Sequence, residues 1–388
     1  MTHRIVQDIT IRYRYPVVFT RDVFAPENAA LAEILAPEVA RHPHPRMLVI
    51  VEDAVSEAHP ALLYRLACYL RAVAPNIDLV GSPRGIRGGE ALKSDRARID
   101  ELIRGMAEAS LDRHSFVMAI GGGAVLDAVG FAASLLHRGV RMIRLPTTVL
   151  SQNDGGVGVK TAINDPCGKN LLGTFAPPFA VLNDLNFLAS LPDAEWRAGI
   201  AEAFKVAMIK DTAFFDWLDR EADTLAARDA AAMERLVVRC AELHLTHIRE
   251  GGDPFEMGRA RPLDFGHWSA HHVEAQTGYQ VGHGAAVAIG VALDSLYAVR
   301  RGWLPEADAH RLILALRRTG FTLWHEALER RDPRGRLVLF NGLERFREHL
   351  GGILCITVPQ GVGHCMEISE IDEALMEEAL GALRAFAL

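Results

Sequence analysis

SFVMAIGGGAVLDAVGFAASLLHRGVRMIRLPTT, residues 115–148, holds three elements in a row. SFVMAI is a short apolar run that delivers three glycines, Gly121, Gly122 and Gly123. AVLDAVGFAASLLHRG has the apolar spacing of a helix and closes on Gly139, as helices often do. VRMIRLPTT is a second apolar run. Strand, helix, strand at these lengths predicts a parallel sheet with crossover helices and a nucleotide-type topology. Upstream, MLVIVED (47–53) and HPALLYRLACYLRAVA (59–74) repeat the strand and helix patterns. MTHRIVQDITIRYRYPVVF (1–19) alternates apolar and polar residues and predicts a strand, not a signal peptide. From about residue 192 the pattern turns helical, beginning with PDAEWRAGIAEAFKVAMIK (192–210). GGILCITVPQG (351–361) is the exception, where a short strand is expected. The expected organisation is an α/β N-terminal domain and a mostly α-helical C-terminal domain, with the boundary near 186.

The bulk numbers narrow the function. The chain has 388 residues, 49% hydrophobic and 23% charged, with a net charge of −7 and a pI near 6.2. That balance argues against a nucleic-acid surface and leaves room for a local basic pocket that takes an anionic small molecule. No apolar run reaches the length of a membrane span. The five cysteines, Cys68, Cys167, Cys240, Cys355 and Cys365, are scattered and contain no CxxC pair. A reducing cytoplasm is expected, with neither a disulfide frame nor a cysteine zinc site.

Four groups of residues carry chemistry. The glycines at 121–123 let a backbone approach a phosphate at a helix start, although Leu126 stands where a Rossmann fingerprint has its third glycine. A tight turn with no ligand is the plainer alternative. Glu52 ends a strand and suits a ribose hydroxyl as well as it suits solvent. TTVLSQNDGGVGVKTAINDPCGKN (147–170) sets Asp154, Lys160, Lys169 and Asn170 among glycines, which fits a phosphorylated or polyhydroxylated substrate or a solvated loop. Glu202 and Lys205 lie one helical turn apart, either as a surface ion pair or as a partly buried acid with its cation. In PLDFGHWSAHH (262–272), His267 and His271 share a helix face, and Trp268 removes the general base of a zinc protease. Glu202, His267 and His283 would together make a His2Glu set with open positions, a common catalytic zinc arrangement.

As a group these motifs resemble the sugar phosphate cyclases, the superfamily of 3-dehydroquinate synthase. The resemblance runs from about 47 to 300. It rests on GGE..K (88–93), GGGAVLD (121–127), LPTT (145–148), D.....KTAI (154–163), GKN (168–170), AE..K (201–205), FGH...H (265–271) and HG..VAIG (283–290). RPLDFGHWSAH looks most like the 2-epi-valiolone synthases, which cyclise sedoheptulose 7-phosphate. The family implies a Rossmann-like NAD-binding domain over 1–186 and a helical metal- and substrate-binding domain over 187–388. It also implies one divalent zinc or cobalt ion and a homodimer. By motif match, Glu202, His267 and His283 would be the metal ligands. Glu52 (where the family usually has Asp), Glu90, Lys93, Gly122, Gly123, Asp127, Thr147, Thr148 and Lys169 would hold NAD. Asp154, Lys160, Asn170, Lys205 and Asp264 would line the substrate site, with His271 near the phosphate and Arg138 reaching the partner's phosphate pocket. His272 matches neither role.

Departures from the dehydroquinate synthase pattern point to the substrate. Asp264 replaces an asparagine that contacts substrate, and Thr246 and His247 stand near an expected lysine. A second lysine is not evident in FREHLGG (346–352), and HGE becomes HGA with Ala285. Losing cationic and amide groups fits a substrate without a carboxylate. The alternatives are 3-dehydroquinate synthase itself, a metal-dependent alcohol dehydrogenase with net hydride transfer, and a non-catalytic sugar phosphate binder.

Overall fold

The computed structural model describes residues 2–42, 44–166, 168–258, 261–349 and 352–387. They fall into two compact units. The first comprises residues up to Ile120, Ala124–Leu145 and Val159–Asn183; the second comprises Gly121–Gly123, Pro146–Gly158 and the chain from Asp184 onward.

The first unit is built on a seven-stranded sheet. Its strands are β1 (Val17–Thr20), β2 (Arg46–Glu52), β3 (Asp78–Leu79), β4 (Arg84–Ile86), β5 (Phe116–Gly121), β6 (Arg141–Pro146) and, after a hairpin of β7 (Lys160–Asp165) and β8 (Gly168–Phe175), β9 (Ala180–Asp184). The order is β1-β9-β6-β5-β2-β3, with β4 also on β2. β2 runs parallel to β3, β4 and β5, and β6 runs parallel to β9. Every residue of β5 is buried, as expected of a strand covered on both faces, which is why its sequence is a continuous apolar run and not an alternation. The helix after it, Gly123–Leu135, is apolar nearly all round, and Val125, Leu126, Val129 and Ala132 pack with Leu48, Ile50, Val117 and Ala119. This is the α/β organisation read from residues 115–148.

Two expectations need correction. The alternation at 1–19 forms a strand only at Val17–Thr20, while residues 2–16 form no element and leave Ile5, Val6, Ile9 and Ile11 exposed. Alternation says which face a strand would bury, but a strand also needs a neighbour to complete its hydrogen-bond ladder. The 147–170 stretch is not a plain loop. It contains a π-helical turn at Ser151–Gly155 and the β7–β8 hairpin, paired antiparallel from Lys160↔Phe175 to Asp165↔Gly168. Cys167 lies outside the described residues; Cys68, Cys240, Cys355 and Cys365 are free thiols.

The second unit is helical apart from the antiparallel pair β10 (Ile356–Pro359) and β11 (Cys365–Ile368). The Asp193–Lys210 helix is buried from Gly199 to Ile209, and the His283–Arg300 helix is buried from Ala286 to Ala298. Both are buried on all sides, as helices at the centre of a core are, and most of their buried residues are apolar. They pack against each other, and the His267–Gln276 helix packs on the second of them. Small residues let these backbones approach. A Cβ on Gly284 would collide with the Ala198 backbone, and one on Gly290 would collide with the Gly266 carbonyl oxygen. Among the described residues, no helix is long and apolar enough to cross a membrane.

Gly290→Ala therefore forces the two helices apart. Overpacking of this kind costs about 1–3 kcal/mol. Thermal unfolding should show a midpoint several degrees below that of the parent chain, and an unchanged midpoint would refute the close approach.

Candidate metal centre and active site

The Asp193–Lys210 helix carries two charges into an apolar interior. Glu202 is 1% exposed and Lys205 is 2% exposed. Lys205 Nζ lies 2.5 Å from Glu202 Oε2. This is the buried form of the pair, not a surface ion pair. The π-helical turn at Ser151–Gly155 is anchored to the same helix, since Asn153 Nδ2 donates to the Gly199 carbonyl at 2.8 Å. Gln152 Nε2 ties the turn further, to the carbonyls of Pro146 and Asp184. The turn presents Asp154, whose Oδ1 sits 2.7 Å from His244 Nδ1.

The histidines reach Glu202 from two further helices. Gly266, in the left-handed region at φ 78°, starts the His267 helix. Its N–H donates to Asp294 Oδ2 at 3.2 Å, and Trp268 Nε1 donates to Asp294 Oδ1 at 2.9 Å. His267 Nδ1 lies 3.1 Å from the Phe265 carbonyl oxygen. That leaves Nε2 facing Glu202 Oε1 at 3.7 Å, while His283 Nε2 faces the same oxygen at 3.5 Å. One donor atom from each of Glu202, His267 and His283 lies within 4.8 Å of the other two. A tetrahedral ion with bonds near 2.0 Å sets its ligand atoms roughly 3.3 Å apart, so this set is close to what an ion requires. Glu202 Oε2 is taken by Lys205, whereas the buried Oε1 has only the two imidazoles beside it, at 3.5 and 3.7 Å, and an ion would satisfy it.

Electrostatics put these groups in ligand form. Burial alone would raise the Glu202 carboxyl, but Lys205, His283 and His267 together outweigh it and hold the pKa at about 2. His267 is pushed down to about 4, first by burial and then by Lys205. At neutral pH the site presents a carboxylate and a neutral imidazole, the states that bind metal. Asp154 is likewise held well below the carboxylate range: burial opposes this, and Lys205 and His244 outweigh it.

Asp264 ends a 3-10 turn, Pro262–Asp264, close enough for its charge to bear on Lys205. The His271 ring centroid lies 5.4 Å from that of His267 and 6.0 Å from that of His283. His272 packs elsewhere, buried beside Gly342. Glu202, Lys205, Asp154, Asp264, His267, His271 and His283 thus gather in the second unit.

The first unit forms its own polar cluster. Lys93, 4% exposed, meets Asp127 at 2.7 Å and Glu90 at 3.9 Å and donates to Asn170 Oδ1. Asn164 Nδ2 donates to Glu90 Oε1 at 2.9 Å, and Asn170, held at φ 54°, donates its N–H to Asn164 Oδ1. The Glu52 carboxylate occupies the space beside Gly88, where a side chain would strike it. Lys160 and Lys169 lie on the β7–β8 hairpin. Arg138 is exposed beyond the end of its helix, in a left-handed conformation. In the second unit, the Thr147 N–H closes on the Gly121 carbonyl of the Gly121–Gly123 turn, and Thr148 and Ser151 exchange backbone-to-hydroxyl hydrogen bonds.

Sequence reasoning missed His244, Glu274 and Asp294. Glu274 had a signal, because it follows His267 by seven residues and so shares its helix face. His244 had none: the sequence drew attention to His247, which instead meets Lys210 at 3.4 Å.

Asp294 makes a pH prediction. Burial pushes its carboxyl from 3.8 up to about 7, against the opposing effect of the Trp268 and Gly266 donors. The folded chain therefore holds this proton more tightly than the unfolded chain. Its contribution to stability is present below about pH 4 and is lost as pH rises to about 7. Urea midpoints across that range should fall more steeply for the parent than for Asp294→Asn, and parallel curves would contradict the assignment.

Comparison with known proteins agrees with this geometry. Models of the N-terminal and C-terminal parts of 3-dehydroquinate synthase match residues 84–198 and 199–336. A 3-dehydroquinate synthase of Pelobacter propionicus is 37% identical over 71% of this chain and 74% of its own. One from Shewanella halifaxensis is 31% identical over 98% of this chain and 99% of its own. Among solved structures, a 2-epi-5-epi-valiolone synthase from Streptomyces hygroscopicus subsp. jinggangensis, with NAD+ and Zn2+ bound, is 28% identical. It superposes with a TM-score of 0.86 over 98% of this chain and 99% of that one. The buried acid, the two histidines and the matched sequence across both halves lead to one conclusion: this chain belongs to the 3-dehydroquinate synthase family and is a sugar phosphate cyclase of that superfamily.

Proposed function

We propose that this enzyme converts sedoheptulose 7-phosphate to a C7 cyclitol of the 2-epi-valiolone type, with release of phosphate, using NAD and one zinc or cobalt ion. The observation that supports the substrate choice is a pair of acids, Asp264 and Glu367, the first of them near Lys205. Asp264 bears on Lys205, and its charge also bears on Glu367, a half-buried acid on β11 to which Thr357 Oγ1 donates at 2.8 Å. Burial is the main reason the Glu367 carboxyl is raised, and Asp264 adds to it. A substrate carboxylate pressed against these groups would be repelled. A hydroxyl or hydroxymethyl group would instead donate to them. The likeness to the valiolone synthase structure supports the same reading. A second reading, 3-dehydroquinate synthase, is favoured by the 31–37% identity to relatives of that name.

In this reading Glu202, His267 and His283 hold the metal. Glu52, Glu90, Lys93, Gly122, Gly123, Asp127, Thr147, Thr148 and Lys169 hold the dinucleotide. When bound, NAD supplies a reversible hydride acceptor and the metal a Lewis acid, which together suit oxidation, phosphate elimination, re-reduction and aldol closure. Lys205, Lys160 and His271 offset negative charge on the alkoxide, enolate and phosphate oxygens. Asp154, kept ionised beside His244, accepts a hydrogen bond from a substrate hydroxyl, and Asn170 donates one. The departing phosphate takes the adjacent carbon-bound proton, so no separate carboxylate base is needed. Arg138 reaches the phosphate pocket of a second copy, so the active enzyme is a homodimer.

Each part of this reading has an expected outcome. His267→Ala should lose its metal by elemental analysis, while His271→Ala should keep metal and lose turnover; the reverse pattern would exchange the two roles. Arg138→Ala should raise KM for sedoheptulose 7-phosphate, and an active monomer in sedimentation would rule out the shared site. Incubation with sedoheptulose 7-phosphate and catalytic NAD should release phosphate with no net reduced nicotinamide. The carboxylated seven-carbon precursor should turn over poorly. Asp264→Asn should narrow the ratio of kcat/KM values on the order of a hundredfold. Preference of the parent enzyme for the carboxylated substrate would return it to the dehydroquinate synthases.

A further inference from the structure

His283 faces a carboxylate on each side of its ring. Nε2 lies 3.5 Å from Glu202 Oε1, and Nδ1 lies 3.3 Å from Glu274 Oε2. A neutral imidazole has one N–H and one lone pair, so only one of these nitrogens can be a ligand. If Nε2 carried the proton it would donate to Glu202, and the His2Glu set would be one donor short.

We propose that Glu274 is the positioning residue that settles this choice: by accepting from Nδ1–H, it leaves the Nε2 lone pair of His283 directed at Glu202 and His267. The inference rests on the metal reading above. Three observations carry it. Glu274 is 2% exposed, so its position is set by packing and not by solvent. It lies on the His267–Gln276 helix, three residues after His271 and seven after His267, so one helix face delivers both a ligand and the acid beside another ligand. Finally, Lys205 already compensates Glu202 at 2.5 Å. Glu202 is therefore the weaker claimant for the imidazole proton, and the proton goes to the Glu274 side. Carboxylates that fix ligand histidines in this way hold both the tautomer and the ring orientation.

Glu274, His271 and His283 also bring donor atoms within 4.8 Å of one another. A direct ligand role for Glu274 is therefore the alternative the experiment must separate.

The test uses the full chain stripped of metal and titrated with Zn(II) against a chromophoric chelator, with the absorption bands of bound Co(II) as a second readout. Glu274→Leu should bind zinc about 10–100-fold more weakly than the parent. Glu274→Gln keeps an oxygen that can accept from Nδ1–H, and should stay within a few-fold of the parent. Neither should move the cobalt bands, because the ligand atoms are unchanged. If Glu274→Leu does not fold, as judged by circular dichroism, Glu274→Asp replaces it, with the carboxylate drawn back by one methylene and a loss of about tenfold expected. Parent-like affinity in a folded Glu274→Leu overturns the proposal, since a purely structural role would alter stability and not affinity. Shifted cobalt bands in Glu274→Gln overturn it in favour of a ligand role. A parent chain that binds no zinc fails differently: it removes the metal reading itself.

Discussion

The structure of the second unit depends on an ion pair placed where charges are costly. Glu202 and Lys205 sit on a helix buried from Gly199 to Ile209, and each is almost fully withdrawn from water. Two such charges persist only if each compensates the other and further polar groups complete the shell. Lys205 compensates Glu202 and Asp154, and Glu202 in turn collects the Nε2 atoms of His267 and His283. The same arrangement decides protonation. The ammonium keeps both acids ionised and pushes His267 toward neutrality. Solvation, charge balance and protonation are here a single constraint.

That constraint needs a rigid frame. Gly284 and Gly290 let the His283 helix lie against Ala198 and Gly266 at distances no side chain allows. Asp294 then clasps the start of the His267 helix through Gly266 and Trp268. The imidazoles are thus carried by backbones in direct contact, which fixes where their side chains start. The HG..VAIG motif makes physical sense as packing: its histidine faces the acid and its glycines admit the neighbouring backbone.

In the first unit Lys93 plays the comparable part. Buried on a short helix, it gathers Asp127 and Asn170 around its ammonium and lies near Glu90. The left-handed Asn170 and the bonded Asn164 tie the β7–β8 hairpin into that cluster.

The α/β organisation was legible in the sequence because an interior strand must be apolar throughout and a crossover helix must follow it, as in residues 115–148. The His2Glu set was legible as residue types in a known order of motifs. The fate of the N-terminal segment was not, since alternation at 2–16 specifies a face and says nothing about whether a partner strand exists. Nor was the hairpin at 160–175, where polar strand residues read as loop. Only the tertiary structure decided that the Glu202–Lys205 pair is buried, because i,i+3 spacing is the same on a surface helix and a central one. It alone brought His244 to Asp154 and Glu274 to His283. Those contacts join side chains on separate elements, and local periodicity carries no information about which elements will meet.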